Sequence, residues 1–276
     1  MNCFREKIAI VTGGASGIGR SLCESLGELG AVVVVTDING VGAEKVATAI
    51  VGAGGKAESF AVDVSNSQQV QQLVDDIVKR QGRLDYMFNN AGIDIGGELR
   101  DLSLDQIRRV IDINLWGIIY GTHAAYRVMV KQGFGHIINT ASMVGLIPLP
   151  MELAYVTAKH AVVGLSTSLR VEAAALGVRV SVVCPDFIKS DFYLSSKHVN
   201  IDEKKLIDEI PGFVYISPKS CARTMLRGTA HNKGIITVGL FVKLLWGIYR
   251  LSPRLFMLGQ RLYAARLRRL RLEGNS

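Results

Sequence analysis

The sequence predicts a single α/β domain, a doubly wound sheet of seven parallel strands with helices on both faces. Two observations predict it. Short β-branched apolar runs recur along the 276 residues and alternate with stretches of helical periodicity, the pattern of linked βαβ units. The first of these runs ends in a glycine cluster that leads straight into a helix, the arrangement that binds a pyrophosphate. The length suits one core with an appendage. Strands are expected near 7–12, 31–36, 57–62, 84–88, 135–140, 178–184 and 235–239.

The first turn reads Gly13-Gly-Ala-Ser16-Gly17-Ile18-Gly19, and Leu22, Leu26 and Leu29 follow at helical spacing. Gly13 permits the tight turn, Gly17 clears a path for the phosphates, and Gly19 lets the helix pack close to the strand. The spacing is G-x-x-x-G-x-G, so the general dinucleotide fingerprint is matched in mechanism but not in letters. The second strand, Val32 to Thr36, ends in Asp37, 18 positions beyond Gly19. A carboxylate near that offset binds the adenosine ribose 2′-hydroxyl and repels a 2′-phosphate. Neither position 16 nor position 38 is basic. NAD(H) is therefore expected in preference to NADP(H).

Farther along, Tyr155 and Lys159 lie four apart, on one face of a helix. A free tyrosine titrates at about 10, and a neighbouring ammonium lowers that value toward working pH. Ser142, thirteen positions upstream, can hold the oxygen of a carbonyl or alcohol while the tyrosine moves the proton. Given a hydride carrier, that chemistry interconverts a ketone and an alcohol. On its own the pair is weak evidence and reads as a solvated helical contact; the nucleotide turn gives it weight.

These residues resemble the short-chain dehydrogenase/reductase family, across roughly positions 6 to 240. Thr12-Gly13-x-x-x-Gly17-x-Gly19 is similar to its cofactor motif, Asp63-Val64 to the pair that brackets the adenine, and Asn89-Asn90-Ala91-Gly92 to its N-N-A-G turn. The resemblance implies a Rossmann-like fold. It also implies a tetrad of Asn114, Ser142, Tyr155 and Lys159, in which Asn114 kinks a long helix and holds a water against the lysine. Lys159 would also bind the nicotinamide ribose. After the sixth strand, Pro185-Asp186-Phe187-Ile188-Lys189-Ser190 departs from the family's Pro-Gly-x-Ile/Val-x-Thr. Ile188 and Ser190 still resemble the residues that contact the nicotinamide carboxamide. Asp186 replaces a glycine, and aspartate is among the more tolerated choices if that turn needs a positive φ.

Cys3, Cys23, Cys184 and Cys221 are scattered, and the five histidines show no ligand spacing, so no metal is expected. Cys23 and Cys184 read as small buried residues. No apolar segment precedes the first strand, and a cytoplasmic location is expected.

The charge is uneven. Residues 240–276 carry +7 of the total +8, so no nucleic-acid groove is expected across the domain. That tail is also apolar, too short between charges to span a bilayer, and interrupted by Pro253. Trp246, Tyr249 and Tyr263 beside arginines suit an amphipathic helix lying on anionic lipid. The alternative is a helix that packs on a partner subunit with its arginines solvated.

The expected organisation is residues 1–240 as the nucleotide-binding and catalytic domain and 241–276 as a basic amphipathic helical extension. A substrate lid falls at about 186–233. Phe187, Phe192, Tyr193, Leu194, Phe213, Val214 and Tyr215, with Leu146, Ile147, Leu149 and Leu153, suit a hydrophobic substrate; alternatively they are simply the lid's own core. The reading is an NAD(H)-dependent oxidoreductase acting on a hydrophobic alcohol or carbonyl. The rival is a non-catalytic nucleotide-binding regulatory protein. A homo-oligomer is expected from the resemblance, through the helices of Asn114 and Tyr155. Val162, Leu165, Leu169 and residues 171–174 give the second helix more apolar surface than one core face needs.

Overall fold

The computed structural model describes residues 2–189, 197–208 and 212–272. Ser190, Phe192, Tyr193 and Leu194 lie outside the described residues. The main sheet consists of β1 (Ile8–Thr12), β2 (Val32–Asp37), β3 (Lys56–Ala61), β4 (Tyr86–Asn89), β6 (Gly135–Thr140), β7 (Val178–Pro185) and β9 (Ile235–Val238). Its order is β3-β2-β1-β4-β6-β7-β9, parallel throughout. All seven expected strands are present.

Period-2 alternation sends successive side chains of each strand to opposite faces. Ala9, Val11, Val33 and Val35 meet Leu22 and Leu26 of α1 (Gly17–Glu28) and Val46 and Ile50 of α2 (Gly40–Gly52). Ile8, Ile10 and Val34 meet Val70, Leu73 and Ile77 of α3 (Ser67–Gln81) and Met129 of α5 (Gly117–Gln132). With both faces covered, the central strands read as unbroken apolar runs. The edge strand β3 instead carries Lys56 and Glu58, and Glu58 pairs with Arg80.

α4 (Leu104–Ile111) opens on a capping box between Ser103 and Gln106. It runs into α5 through a π-helical turn, Asp112–Trp116. The inserted residue breaks the regular ladder there. α6 (Leu153–Ala173) is the helix of Tyr155. Its apolar surplus is smaller than the sequence suggests. Val162 is buried, and Leu165 and Leu169 pack on the chain's own cores, because the helix spans two core clusters. Val171 remains 79 % exposed.

Two features were not legible beforehand. A two-residue parallel pair joins β5 (Ile95–Gly96) to β8 (Lys197–His198). And the stretch expected to be lid is divided. α7 (Glu203–Asp208) is short and follows β8. The helix α8 (Pro218–Ala230) instead packs Cys221, Met225 and Leu226 into the core beside α1.

The extension forms α9 (Phe241–Leu251) and α10 (Pro253–Leu267), broken where Ser252 caps and Pro253 takes the first helical position. It shares a core with the domain: Val242 and Phe256 are buried with Val144, Leu146, Val182 and Cys184. Its end folds back. Arg268 and Arg271 pair with Glu98, and Arg271 also with Asp101, which holds both carboxyls below the usual range. These two arginines are therefore not simply solvated, because they close the chain onto the loop after β5.

Candidate active site

Parallel strands end together at their carboxyl edge, and the loops that leave them there form a cleft where the winding reverses. One cleft is lined by Gly13, Ser16, Gly17, Ile18, Gly19, Asp37, Asp63, Val64, Asn90, Ala91 and Gly92 on one side. Ser142, Tyr155, Lys159, Asp186 and Ile188 line the other. The described candidates, taken from seven separate stretches of chain, thus face one space; Asn114 stands behind it.

The glycine turn is built for close approach. Gly13 has φ +67°, and a Cβ on it would lie 2.8 Å from the Ala91 Cα; a Cβ on Gly19 would lie 1.9 Å from the Gly13 carbonyl oxygen. Thr12 bolts this turn to the next: its hydroxyl accepts from the backbone N–H groups of Asn90 (2.9 Å) and Ala91 (3.1 Å). The Asn90 amide donates back to the Thr12 carbonyl at 3.2 Å. Ser16 precedes α1 without a side-chain capping bond, and no acid occupies the first turn. The helix's first N–H groups are left to an anion. Asp37 accepts from Ala15 N at 3.1 Å and Asn39 N at 2.9 Å. It braces the loop and still borders the cleft. Asp63 accepts from Ser65 in a local turn, with Val64 packed near Gly117. This cradle fits a dinucleotide.

Across the cleft, Ser142 follows β6 and Tyr155 sits in the first turn of α6. The two hydroxyls share a hydrogen bond. Burial holds the Tyr155 phenol above its ordinary value, and the Asp94 and Glu152 carboxyls add to this, while the Ser142 bond opposes it. Lys159 is buried, its nitrogen 5.4 Å from the Tyr155 ring centroid and donating to the Thr140 carbonyl at 2.9 Å. Burial pushes its own pKa down to about 7. The expected depression of the phenol by Lys159 is thus outweighed, because desolvation disfavours the charged form of both groups.

Asn114 lies in the π turn, fully buried. Its amide donates to the Ile93 carbonyl (2.8 Å) and the Val110 carbonyl (2.9 Å), while Oδ1 has no partner. The space beside Gly92 lies 2.7 Å from that oxygen and 3.7 Å from the Lys159 nitrogen. A buried orphan acceptor beside a buried ammonium is a place for water.

The departure at Asp186 has a structural reason. Asp186 is not among the positive-φ residues. Its carboxylate accepts from Phe187 N and from Val242 N, both at 3.1 Å. It therefore fastens the amino end of α9, and burial raises its pKa. Ile188 is buried at the cleft and bridges to Ile216. The apolar wall is also partly supplied by the extension. Phe187 meets Tyr215 and Phe241 with ring centroids 6.3 and 6.4 Å apart. Leu149, Tyr155, Trp246 and Tyr249 border the same cluster.

Sequence reasoning missed a buried polar chain under the site. The Asn89 amide donates to Asn139 Oδ1 (2.8 Å), the Asn139 amide donates to the Ser166 hydroxyl (3.0 Å), and Thr122 joins them. It also missed Asp94, Glu152 and His198, whose ligating atoms lie within 4.8 Å of one another. No spacing signals three residues so far apart in the chain.

The family model described as short chain dehydrogenase matches residues 7–199. The cyclohexanol dehydrogenase of an Acinetobacter species is 40 % identical over 191 residues, covering 68 % of this chain and 76 % of that protein. The 2,5-dichloro-2,5-cyclohexadiene-1,4-diol dehydrogenase of Sphingobium indicum is 40 % identical over 192 residues, covering 69 % and 76 %. A solved short-chain dehydrogenase/reductase from Burkholderia phymatum, in complex with NAD, superposes with a TM-score of 0.84. It is 26 % identical, with 92 % of this chain and 96 % of that one covered.

Proposed function

Since the chain belongs to the short-chain dehydrogenase family of oxidoreductases, we propose that it interconverts a hydrophobic secondary alcohol and its ketone, or a primary alcohol and its aldehyde, with NAD(H) in preference to NADP(H). The observation that carries this reading is the cleft itself: Tyr155, Ser142 and Lys159 face the glycine turn and the uncapped start of α1 across one space. The glycine turn and the start of α1 would hold a dinucleotide, which would supply or accept a hydride at the carbon that bears the substrate oxygen.

Each side chain then has a task. Tyr155, held as a neutral phenol, donates its proton to the carbonyl oxygen in reduction; in oxidation its phenolate receives the hydroxyl proton. The Ser142 hydroxyl orients that oxygen and stabilises its growing charge. Lys159 binds the nicotinamide ribose hydroxyls and offers an ammonium close to the phenol. Asn114 Oδ1 supports a water beside Lys159 that passes protons onward. Asn90, Ala91, Gly92, Asp63 and Val64 flank the adenosine end, Ile188 the carboxamide.

Asp37 at the end of β2 supports NAD(H), since its charge opposes a 2′-phosphate. The relatives named for cyclohexanol and a cyclic diol, with the wall of Leu149, Phe187 and Trp246, support a hydrophobic substrate. Nothing in the comparisons favours the non-catalytic rival. The decisive experiment is Tyr155→Phe with cyclohexanol and NAD as the probe pair, following reduced-cofactor absorbance. The rate should fall by about 10²–10⁴-fold while NADH still binds, and a rate within about tenfold of wild type contradicts the assignment.

The same reading includes a homo-oligomer, supported by exposed Trp116 and Val171 on the helices of Asn114 and Tyr155. It also includes contact of 241–276 with a membrane surface. No described helix is long and apolar enough to cross a membrane. Leu255, Leu258 and Leu262 form an exposed stripe on α10 beside Arg254 and Arg261, suited to lying on anionic lipid. The full chain should co-sediment with anionic but not neutral vesicles, and Leu258→Glu with Leu262→Glu should abolish this. Sedimentation unaltered by that pair of changes ends the membrane reading.

A further inference from the structure

Asp94, Glu152 and His198 come from three segments that backbone bonds lock together. His198 of β8 pairs with Gly96 of β5, two residues after Asp94. Val199 N donates to the Gly96 carbonyl at 3.0 Å, and Gly97 N donates to the Met151 carbonyl at 2.6 Å. The second bond places Glu152, at the start of α6, beside the same spot. Gly96 makes the room: a Cβ there would lie 2.5 Å from the His198 ring carbon Cδ2 and 3.1 Å from Glu152 Oε1. The three residues thus meet on a framework set by main-chain geometry.

Their ligating atoms lie within 4.8 Å of one another, and His198 Nε2 is 2.9 Å from Glu152 Oε1. Asp94 is only 8 % exposed. Its Oδ1 and Glu152 Oε2 are both buried without a hydrogen-bond partner. Among the described residues no lysine or arginine forms an ion pair with either carboxyl; His198 is the partner Glu152 has. Burial holds both adjacent carboxyls above the usual carboxylate range, so their ionised form, facing an imidazole out of water, is negative charge that needs a cation. A divalent cation cancels that charge, gives both orphan oxygens a partner and accepts the imidazole nitrogen. One nitrogen and two carboxylate oxygens suit Zn²⁺ and its neighbours, and leave a coordination position for water.

We propose that Asp94, Glu152 and His198 bind a divalent transition metal of the zinc class, which ties the start of the catalytic helix to β5 and β8. The site is separate from the nucleotide cradle and does not depend on the oxidoreductase reading. Its role is structural: it fixes the turn that carries Tyr155 against the strand ahead of α7.

The test uses the full chain, stripped with a chelator and then titrated with Zn²⁺ by calorimetry, with Co²⁺ as a spectroscopic probe. About one Zn²⁺ per chain should bind, with tetrahedral Co²⁺ bands in the visible and a raised Tm. Asp94→Asn and His198→Gln should each weaken uptake by about tenfold or more. Glu203→Gln, which removes a carboxylate near the His198 backbone but not a ligand, should leave it unchanged. Wild-type protein that takes up no more Zn²⁺ than the Asp94→Asn, His198→Gln double variant overturns the proposal. So does a wild type whose Tm Zn²⁺ does not raise above that of the metal-free protein. Both readouts are metal uptake and Tm, so neither requires turnover.

Discussion

Replacing Asp186 with alanine tests how the C-terminal helices are fastened to the site. The carboxylate accepts from Phe187 N and from Val242 N at 3.1 Å each, and Val242 is buried. Alanine fits the backbone there, since Asp186 is not at positive φ. It leaves two N–H donors with no acceptor. An orphaned buried donor costs about 1–3 kcal/mol, so the pair sets an expected loss of about 2–4 kcal/mol after partial relaxation. A lost helix cap, the same Val242 bond seen another way, is worth about 0.5–2 kcal/mol and is not added. At about 2–4 °C per kcal/mol for a chain near this size, Tm should fall by roughly 5–15 °C. Scanning calorimetry reads the shift, and trypsin reads its location through faster cleavage at Arg250 and Arg254. Asp186→Asn keeps an acceptor oxygen and should recover most of the loss. An Asp186→Ala protein within about 1 °C of wild type, cleaved at the same rate, would show that this carboxylate does not hold α9.

Two further outcomes are expected. Gly19→Ala puts a Cβ 1.9 Å from the Gly13 carbonyl oxygen, so the turn must open; NADH affinity, read by fluorescence titration, should fall by about tenfold or more, and unaltered affinity would contradict the cradle. His136 is buried against the Ser181 hydroxyl at 2.8 Å, and burial, reinforced by the Arg179 and Arg170 charges, lowers its pKa to about 3. Because the folded value lies below the unfolded one, this contribution is complete above about pH 6.5 and is lost as pH falls toward 3, by up to about 4 kcal/mol. His136→Asn should flatten the acid limb of a Tm-against-pH curve, and an unchanged limb would remove His136 from acid unfolding.

The sheet and the nucleotide turn were legible because their signals are local. A five- or six-residue apolar run is a strand in almost any context that covers both its faces, and the turn after Thr12 needs glycine for reasons contained within seven residues. Tyr155 and Lys159 were legible as a pair because helix geometry alone places residues four apart together. Their electrostatics were not. The pKa directions depend on how much chain covers them, and that cover comes partly from α9, some ninety residues later.

What the sequence determined by itself was thus the positions of the strands along the chain, the phosphate turn and the identities of the groups that meet at the cleft, all matters of short-range periodicity and backbone allowance. Tertiary structure alone decided the rest. It turned Asp186 from an odd residue in a nicotinamide loop into the fastening of a helix. It spent Arg268 and Arg271 on Glu98, and it gathered Asp94, Glu152 and His198 around one glycine. These contacts join residues tens to well over a hundred positions apart. Their partners are chosen by where parallel crossovers deliver the chain, and no local pattern encodes that delivery.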